Sequence, residues 1–343
     1  MTATAPQPTT RTRAATLVAA AGLLFLIALA MTAPASAQQR NPRQTIGETV
    51  FDRESAHYRF ERFLLESPDG ERRWRINLGI PKRPAPASGF PSIHMVDGNA
   101  ALMEFDDALL KELADSSPQV LVFIGYDNEL RTDTPARTRD YTPRLPIPGG
   151  EEGPPLPSGG ADAFLDLIER RVKPEVARRV PVDPQRQALW GHSFGGLFVL
   201  QALFQRTGMY QTYVAASPSL WWGEGWMLGE VDRFAAHNAG RPARVLIMLG
   251  GGERYANGAG RDLGDPRVQR HLRRVAAAPP DSCEKLSARL DALTGIDAGY
   301  REFPGLGHGP MLRASLLAML HAVAGIADNS SDPRPGATPD TPQ

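Results

Sequence analysis

The sequence predicts an α/β fold, a mostly parallel central sheet with helices on both faces. Three observations carry that prediction. Strand-length apolar runs alternate with helix-length stretches through the middle of the chain. The pentapeptide Gly191-His192-Ser193-Phe194-Gly195 stands between a strand-like segment at 187–190 and an apolar helix-like segment at 196–204. A histidine, His308, sits in a glycine-rich loop just after the last strand-like run. Together these specify the α/β-hydrolase version of the fold, in which a serine on a sharp strand-to-helix turn precedes the histidine in chain order.

The elements follow in order. Residues 59–65 and 73–80 read as an antiparallel strand pair turned by Ser67-Pro68-Asp69-Gly70. Residues 92–96 form a strand that ends in Asp97-Gly98-Asn99, with a helix expected over about 100–114. The apolar strand 119–124 suits a parallel sheet covered on both sides. A long Pro- and Gly-rich polar loop is expected over 125–160, then a helix over 162–179. After the serine turn, strands are expected at 212–216, 244–249 and 299–303, and helices at 282–294 and 311–327.

Composition narrows the function classes. Of 343 residues, 38 are Lys or Arg and 38 are Asp or Glu, and the pI is near 7.1. That balance, without a basic run interleaved with aromatics, argues against nucleic acid as a partner. The lone cysteine, Cys283, can form no intrachain disulfide and leaves no cysteine cluster for zinc. At the N-terminus, Arg11 and Arg13 precede a nearly continuous apolar run over 14–31, and Ala35-Ser36-Ala37 makes an A-x-A cleavage site. Residues 1–37 therefore read as a signal peptide of a periplasmic or secreted protein. If left uncleaved, the segment would be an inner-membrane anchor facing the periplasm, the one membrane contact expected. Residues 38–328 form the hydrolase domain, and the Pro- and Ser-rich 329–343 read as a disordered tail.

The chemistry centres on Ser193. A serine at its ordinary pKa is a poor nucleophile and needs a general base. Of the seven histidines, His308 in Gly305-Leu306-Gly307-His308-Gly309-Pro310 has the position of that base. His192 is expected to point away from Ser193, and His94, in mid-strand, to be a core group. The acid that orients the base should follow the strand ending at Leu249. Glu253 has the best position, Asp262 and Asp265 lie further along the same loop, and a Ser–His dyad without an acid is the third option. The oxyanion hole is assigned to the N–H groups of Phe194, directly after the nucleophile, and of Asn99, in the loop after the strand ending at Val96. No metal or organic cofactor is called for.

At this point the residues resemble a known family. The segment Trp190-Gly191-His192-Ser193-Phe194-Gly195-Gly196-Leu197 is similar to the group of α/β-hydrolase esterases that includes S-formylglutathione hydrolase and the siderophore esterases. Three further segments, in the same order, resemble the periplasmic trilactone esterases of the enterobactin and salmochelin systems. They are Asp140-Tyr141-Thr142-Pro143 with Arg137 before it, Ala216-Ser217-Pro218-Ser219-Leu220, and Phe303-Pro304-Gly305-Leu306-Gly307-His308-Gly309-Pro310-Met311. The likeness runs from about residue 94 to 327. It implies a serine esterase acting on a small-molecule ester, a catecholate trilactone siderophore in its ferric or apo form. It also implies Ser193 and His308 as nucleophile and base, substrate-side roles for Arg137 and Tyr141, and the option of a Ser–His dyad. The sequence departs from the resembled enzymes at 145–160, at Trp221-Trp222 and at Gly250-Gly251-Gly252-Glu253-Arg254. The two tryptophans could stack on substrate rings or fill the core. A secreted acetyl or feruloyl carbohydrate esterase, an acyltransferase and a non-catalytic siderophore-binding protein are the competing readings.

Overall fold

A strand with helices against both faces is buried on both sides, and two neighbouring inner strands show it. In the computed structural model every residue of β3 (Phe90–Val96) and β4 (Val120–Tyr126) is buried. The structure describes residues 43–145, 157–254 and 263–324. The expected signal peptide and C-terminal tail lie outside the described residues.

Eight strands form one sheet in the order β1-β2-β4-β3-β5-β6-β7-β8. The strands β1 (Tyr58–Glu66), β2 (Arg73–Pro81) and β4 are antiparallel neighbours. From β4 through β3 to β5 (Val182–His192), β6 (Thr212–Ala216), β7 (Ala243–Gly250) and β8 (Ile296–Phe303) every pairing is parallel. The parallel strands therefore all end at one edge, and the segments that leave it carry the site: 97–99, 193–194, 217–219, 251–253 and 304–310. Alternate side chains feed two cores. Val96, Leu189 and Ala215 face one cluster, and Met95, Trp190 and Val214 face the other.

The helices show where local sequence signals were insufficient. The single helix expected over 100–114 is two, α1 (Gly98–Leu102) and α2 (Asp107–Ser116). Between them Asp106 is extended and accepts a hydrogen bond from Leu109 N–H at 2.8 Å, so it is an N-cap and ends any continuous helix. The loop expected over 125–160 contains a helix, α3 (Thr134–Tyr141), started by Asp133 as N-cap with Pro135 in the first turn. Its sequence is polar throughout, so no apolar period announces it. The helix expected over 162–179 is α4 (Ala161–Leu167), a π turn (Ile168–Val172) and α5 (Lys173–Arg179). The remaining helices are α6 (Phe194–Gln205), α7 (Trp226–His237), α8 (Pro266–Val275), α9 (Ser282–Asp291) and α10 (Met311–Ala324); α7 and α8 had no counterpart in the sequence reading.

His94 is a core group. It is 1% exposed, with its ring edge-on to Tyr210 at 5.2 Å. Burial, and then the nearby Lys173 charge, push its pKa from 6.5 down to about 3. The unfolded chain therefore binds a proton between these two values that the folded chain refuses. His94 has no pH-linked effect well above 6.5 and destabilises the fold progressively as the pH drops below it. At about 1.36 kcal/mol per unit, the cost at pH 5 is about 2 kcal/mol. Denaturant melts at pH 7 and pH 5 should show an acid loss of stability that is smaller by about this amount in His94→Leu. Equal losses in the two proteins would contradict the assignment.

Candidate active site

The strand β5 delivers the chain to the sheet edge and α6 leaves it at once, with Ser193 as the single residue between them. Ser193 has φ 63° and ψ −117°. A non-glycine residue in such a conformation costs on the order of 1–3 kcal/mol and persists only where its surroundings enforce it. The enforcement is visible. Ser193 N–H donates to Ala216 O at 2.9 Å, and Ser193 O accepts from Leu197 N at 3.0 Å and Ser219 N at 3.1 Å. A Cβ on Gly191 would lie 2.4 Å from the Gly195 backbone, and one on Gly196 would lie 2.7 Å from Ala216 O. Only glycine lets β5, α6 and β6 approach this closely. The turn leaves Ser193 Oγ 3.4 Å from Ser219 Oγ.

Two further loops converge here. A 3-10 turn, Gly251–Glu253, follows β7, and the loop 304–310 follows β8. They are stitched together by Gly252 N–H donating to Leu306 O at 3.0 Å. A Cβ on Gly250 would meet that same Leu306 oxygen at 2.2 Å, so the approach requires glycine there too. Glu253 Oε2 lies 2.5 Å from His308 Nδ1. The other carboxylate oxygen, Oε1, accepts from Ser217 Oγ at 2.6 Å and from Gly250 N–H at 3.1 Å. Burial raises the Glu253 pKa, but the hydrogen bonds and charge from His308, with those from Ser217 and Gly250, outweigh it and hold the carboxyl below its ordinary value. With Nδ1 directed at a carboxylate, the neutral imidazole carries its proton there and leaves Nε2 as the basic nitrogen. Of the other two acids considered, Asp262 lies outside the described residues, and Asp265 precedes α8. The ring of His192 packs against that of His308, with centroids 4.5 Å apart, a neighbour its position in the pentapeptide did not announce.

The loop after β3 is held from behind. Asp97 is left-handed, with φ 53° and ψ 42°, and its carbonyl accepts from Ala100 and Ala101 N–H to start α1. Asn99 anchors the loop through its side chain, which donates to the carbonyls of Tyr126, Asn128 and Leu130. The N–H groups of Asn99 and Phe194, each in the first turn of its helix, have no acceptor among the described residues.

Two residues expected on the substrate side are buried and bound to Asp97. Arg137 is 8% exposed, and its Nε and Nη2 are bound to the Asp97 carboxylate at 2.8 and 2.6 Å. Tyr141 is fully buried, and its hydroxyl accepts from Asp97 N–H at 2.8 Å. Both lie beneath the site because α3, which the sequence did not reveal, turns them inward. The tryptophans divide. Trp222 is 7% exposed and belongs to the core, whereas Trp221 is half-buried at the rim, with its ring 5.7 Å from that of Phe194. Ser217, Ser219 and Asp97 were not foreseen as site residues. The serines lie in a segment picked out only by resemblance, and nothing in their spacing says which groups they meet. Among the described residues no group of three or more His, Cys, Asp or Glu is placed to hold a metal ion.

A serine on a strained strand-to-helix turn, at the carboxyl edge of a parallel sheet and beside a histidine–carboxylate pair, defines a hydrolase of the α/β class. Residues 67–265 match the family described as "Putative esterase", and the chain belongs to that family. It is 33% identical to the apo-salmochelin esterase of Escherichia coli O6:H1 over 307 residues, 88% of this chain and 90% of that protein. It is 33% identical to the ferri-bacillibactin esterase BesA of Bacillus subtilis over 258 residues, 71% of this chain and 82% of that one. Among solved structures, the enterobactin hydrolase IroE in complex with DFP superposes with a TM-score of 0.61 at 32% identity, covering 80% of this chain and 99% of IroE. The protein is a serine hydrolase acting on carboxylic esters.

The glycine contacts give a prediction. Gly250→Ala forces a methyl group against the Leu306 carbonyl and should lower both Tm and esterase kcat. Gly307→Ala, with nothing within 4 Å of the added carbon, should leave both near wild type. Thermal melts and initial rates on p-nitrophenyl acetate check the contrast, and equal effects from the two changes would count against the close approach of the loops.

Proposed function

We propose that this protein hydrolyses the backbone esters of catecholate trilactone siderophores by an acyl-enzyme route with Ser193, His308 and Glu253 as a triad. The observation that carries the reading is the Glu253–His308 pair, with the His308 ring against that of His192 next to the serine. His308 Nε2 takes the proton of Ser193 as Oγ attacks the ester carbonyl. Glu253 stays ionised, holds the ring and stabilises the imidazolium. The N–H groups of Phe194 and Asn99 receive the oxyanion. His308 then protonates the leaving hydroxyl, and water, activated in the same way, releases the acyl group and restores the serine.

The substrate class is supported by the relatives' names, which include esterases for apo-salmochelin, ferri-bacillibactin and enterobactin. Trp221 and Phe194 add an aromatic pair at the rim on which catechol rings could stack. The apolar run over 14–31 and the Ala35-Ser36-Ala37 site support export, with work outside the cytoplasm. Among the described residues no helix is long and apolar enough to cross a membrane.

Ser193→Ala and His308→Ala should each lose several orders of magnitude in kcat, and Glu253→Gln roughly 10²–10⁴-fold. Purified protein should open an enterobactin-type trilactone to linear products detectable by chromatography. Turnover of acetylated or feruloylated sugars with none of the trilactone would overturn the substrate assignment. Glu253 is held below its ordinary value of 4.5 by its hydrogen bonds, so the carboxylate stays ionised above that pH. The acid limb of log kcat/KM should accordingly have a slope of one down to that pH. A slope of two above it would mean that the carboxylate titrates together with the base.

A further inference from the structure

We propose that Arg137 is a positioning residue for the oxyanion hole: its buried guanidinium sets the placement of the Asn99 peptide relative to the Phe194 peptide by binding Asp97 and the carbonyl of His192 together. The proposal rests on the serine-esterase reading above.

The two donor peptides come from separate parts of the chain. One follows β3 and the other follows β5, and the pairing of these two strands ends at Met95 opposite Trp190, before either donor is reached. Their spacing must nevertheless match a single oxygen atom, with both donors about 2.7–3.1 Å from it. Arg137 spans the gap. Its Nε and Nη2 form a fork on the Asp97 carboxylate, and Nη2 also donates to His192 O at 3.3 Å. One rigid planar group thus touches the residue two before Asn99 and the residue two before Phe194. Its faces are packed as well, with the guanidinium carbon 5.2 Å from the centre of the Phe194 ring and 5.5 Å from that of Tyr141.

Asp97 needs such a hold. It is an L-residue in the left-handed region, and the next residue leaves no slack, because a Cβ on Gly98 would lie 2.6 Å from the backbone of β4. Tyr141 fixes the same residue from its other polar group by accepting the Asp97 N–H. The helix α3 thus presents three residues to the sheet, Arg137 and, one turn on, Asp140 and Tyr141. Asp140 secures the far end of the helix, accepting from Trp74 Nε1 at 2.8 Å and from Arg72 at 3.1 Å. The helix is a bracket whose inner side carries the fork. Lysine would keep the charge but not the planar two-point contact, and so could not set the Asp97 and His192 groups at once.

The test uses Arg137→Lys, Arg137→Met and Tyr141→Phe, the last keeping the ring packing should the arginine variants fold poorly. Each is compared with wild type and Ser193→Ala for Tm, for kcat and KM on p-nitrophenyl acetate, and for inhibition by phenylboronic acid, which forms a tetrahedral anion on an active serine. The expected result is a fall in kcat of about 30–300-fold for both arginine variants and about 5–10-fold for Tyr141→Phe. KM should stay within about threefold, and the boronate inhibition constant should rise in step with the loss of kcat. A merely structural role would lower Tm without that parallel. Retention of kcat within about twofold in folded Arg137→Lys and Tyr141→Phe would overturn the proposal. So would a rise in KM at constant kcat, the signature of a substrate contact. Absence of turnover by the wild type on every ester would instead overturn the esterase reading, and this proposal with it.

Discussion

Everything at this site depends on one turn that the backbone would not adopt unaided. Ser193 has a positive φ at the junction of β5 and α6, and the sheet must hold it there. The parallel strand order does so by bringing Ala216 of β6 against Gly196 and Val96 of β3 against Gly191 and Gly195. The contacts of Gly191 and Gly196 are backbone-close, so those two glycines are required, and the serine is the side chain the turn projects. The strain and the exposure of the nucleophile have the same cause.

Around that turn the polar groups are arranged in two layers. The outer layer is chemical: His308 against a Glu253 carboxylate that is itself held by Ser217 and Gly250. The inner layer is buried. Arg137, Tyr141 and Asp140 lie behind Asp97 and the loop it begins, and Tyr141 packs within the core cluster that Val96 faces. A buried ion pair is a weak source of stability, because desolvation offsets most of the attraction. Its value here lies in direction: a forked contact allows one arrangement where an apolar contact would allow several.

Much of this was legible from residue order. The pentapeptide with its flanks specified the elbow, the glycine-rich loop singled out His308 as the candidate base, and the apolar runs specified the parallel sheet, because each is a local pattern. The failures were non-local. The helix α3 is polar in sequence because its buried side is lined by Arg137, Asp140 and Tyr141, which are partnered by residues up to 68 positions away. A pattern search looks for apolar periodicity and cannot see a face buried through hydrogen bonds. The substrate-side role of Arg137 came from the family resemblance alone, and no local pattern shows that its side chain is buried on Asp97.

By itself, then, the sequence determined the chemistry: a serine that only a strained turn can present, a histidine after the last strand, and a chain apolar enough in alternating segments to bury a parallel sheet. Tertiary structure decided the assignment of the remaining polar residues. Whether Glu253 reaches His308, whether Trp222 or Trp221 meets solvent, and whether Arg137 faces substrate or Asp97 depend on distances between segments that are far apart in the chain. Those distances are set by strand order and by close glycine contacts, which no local spacing encodes.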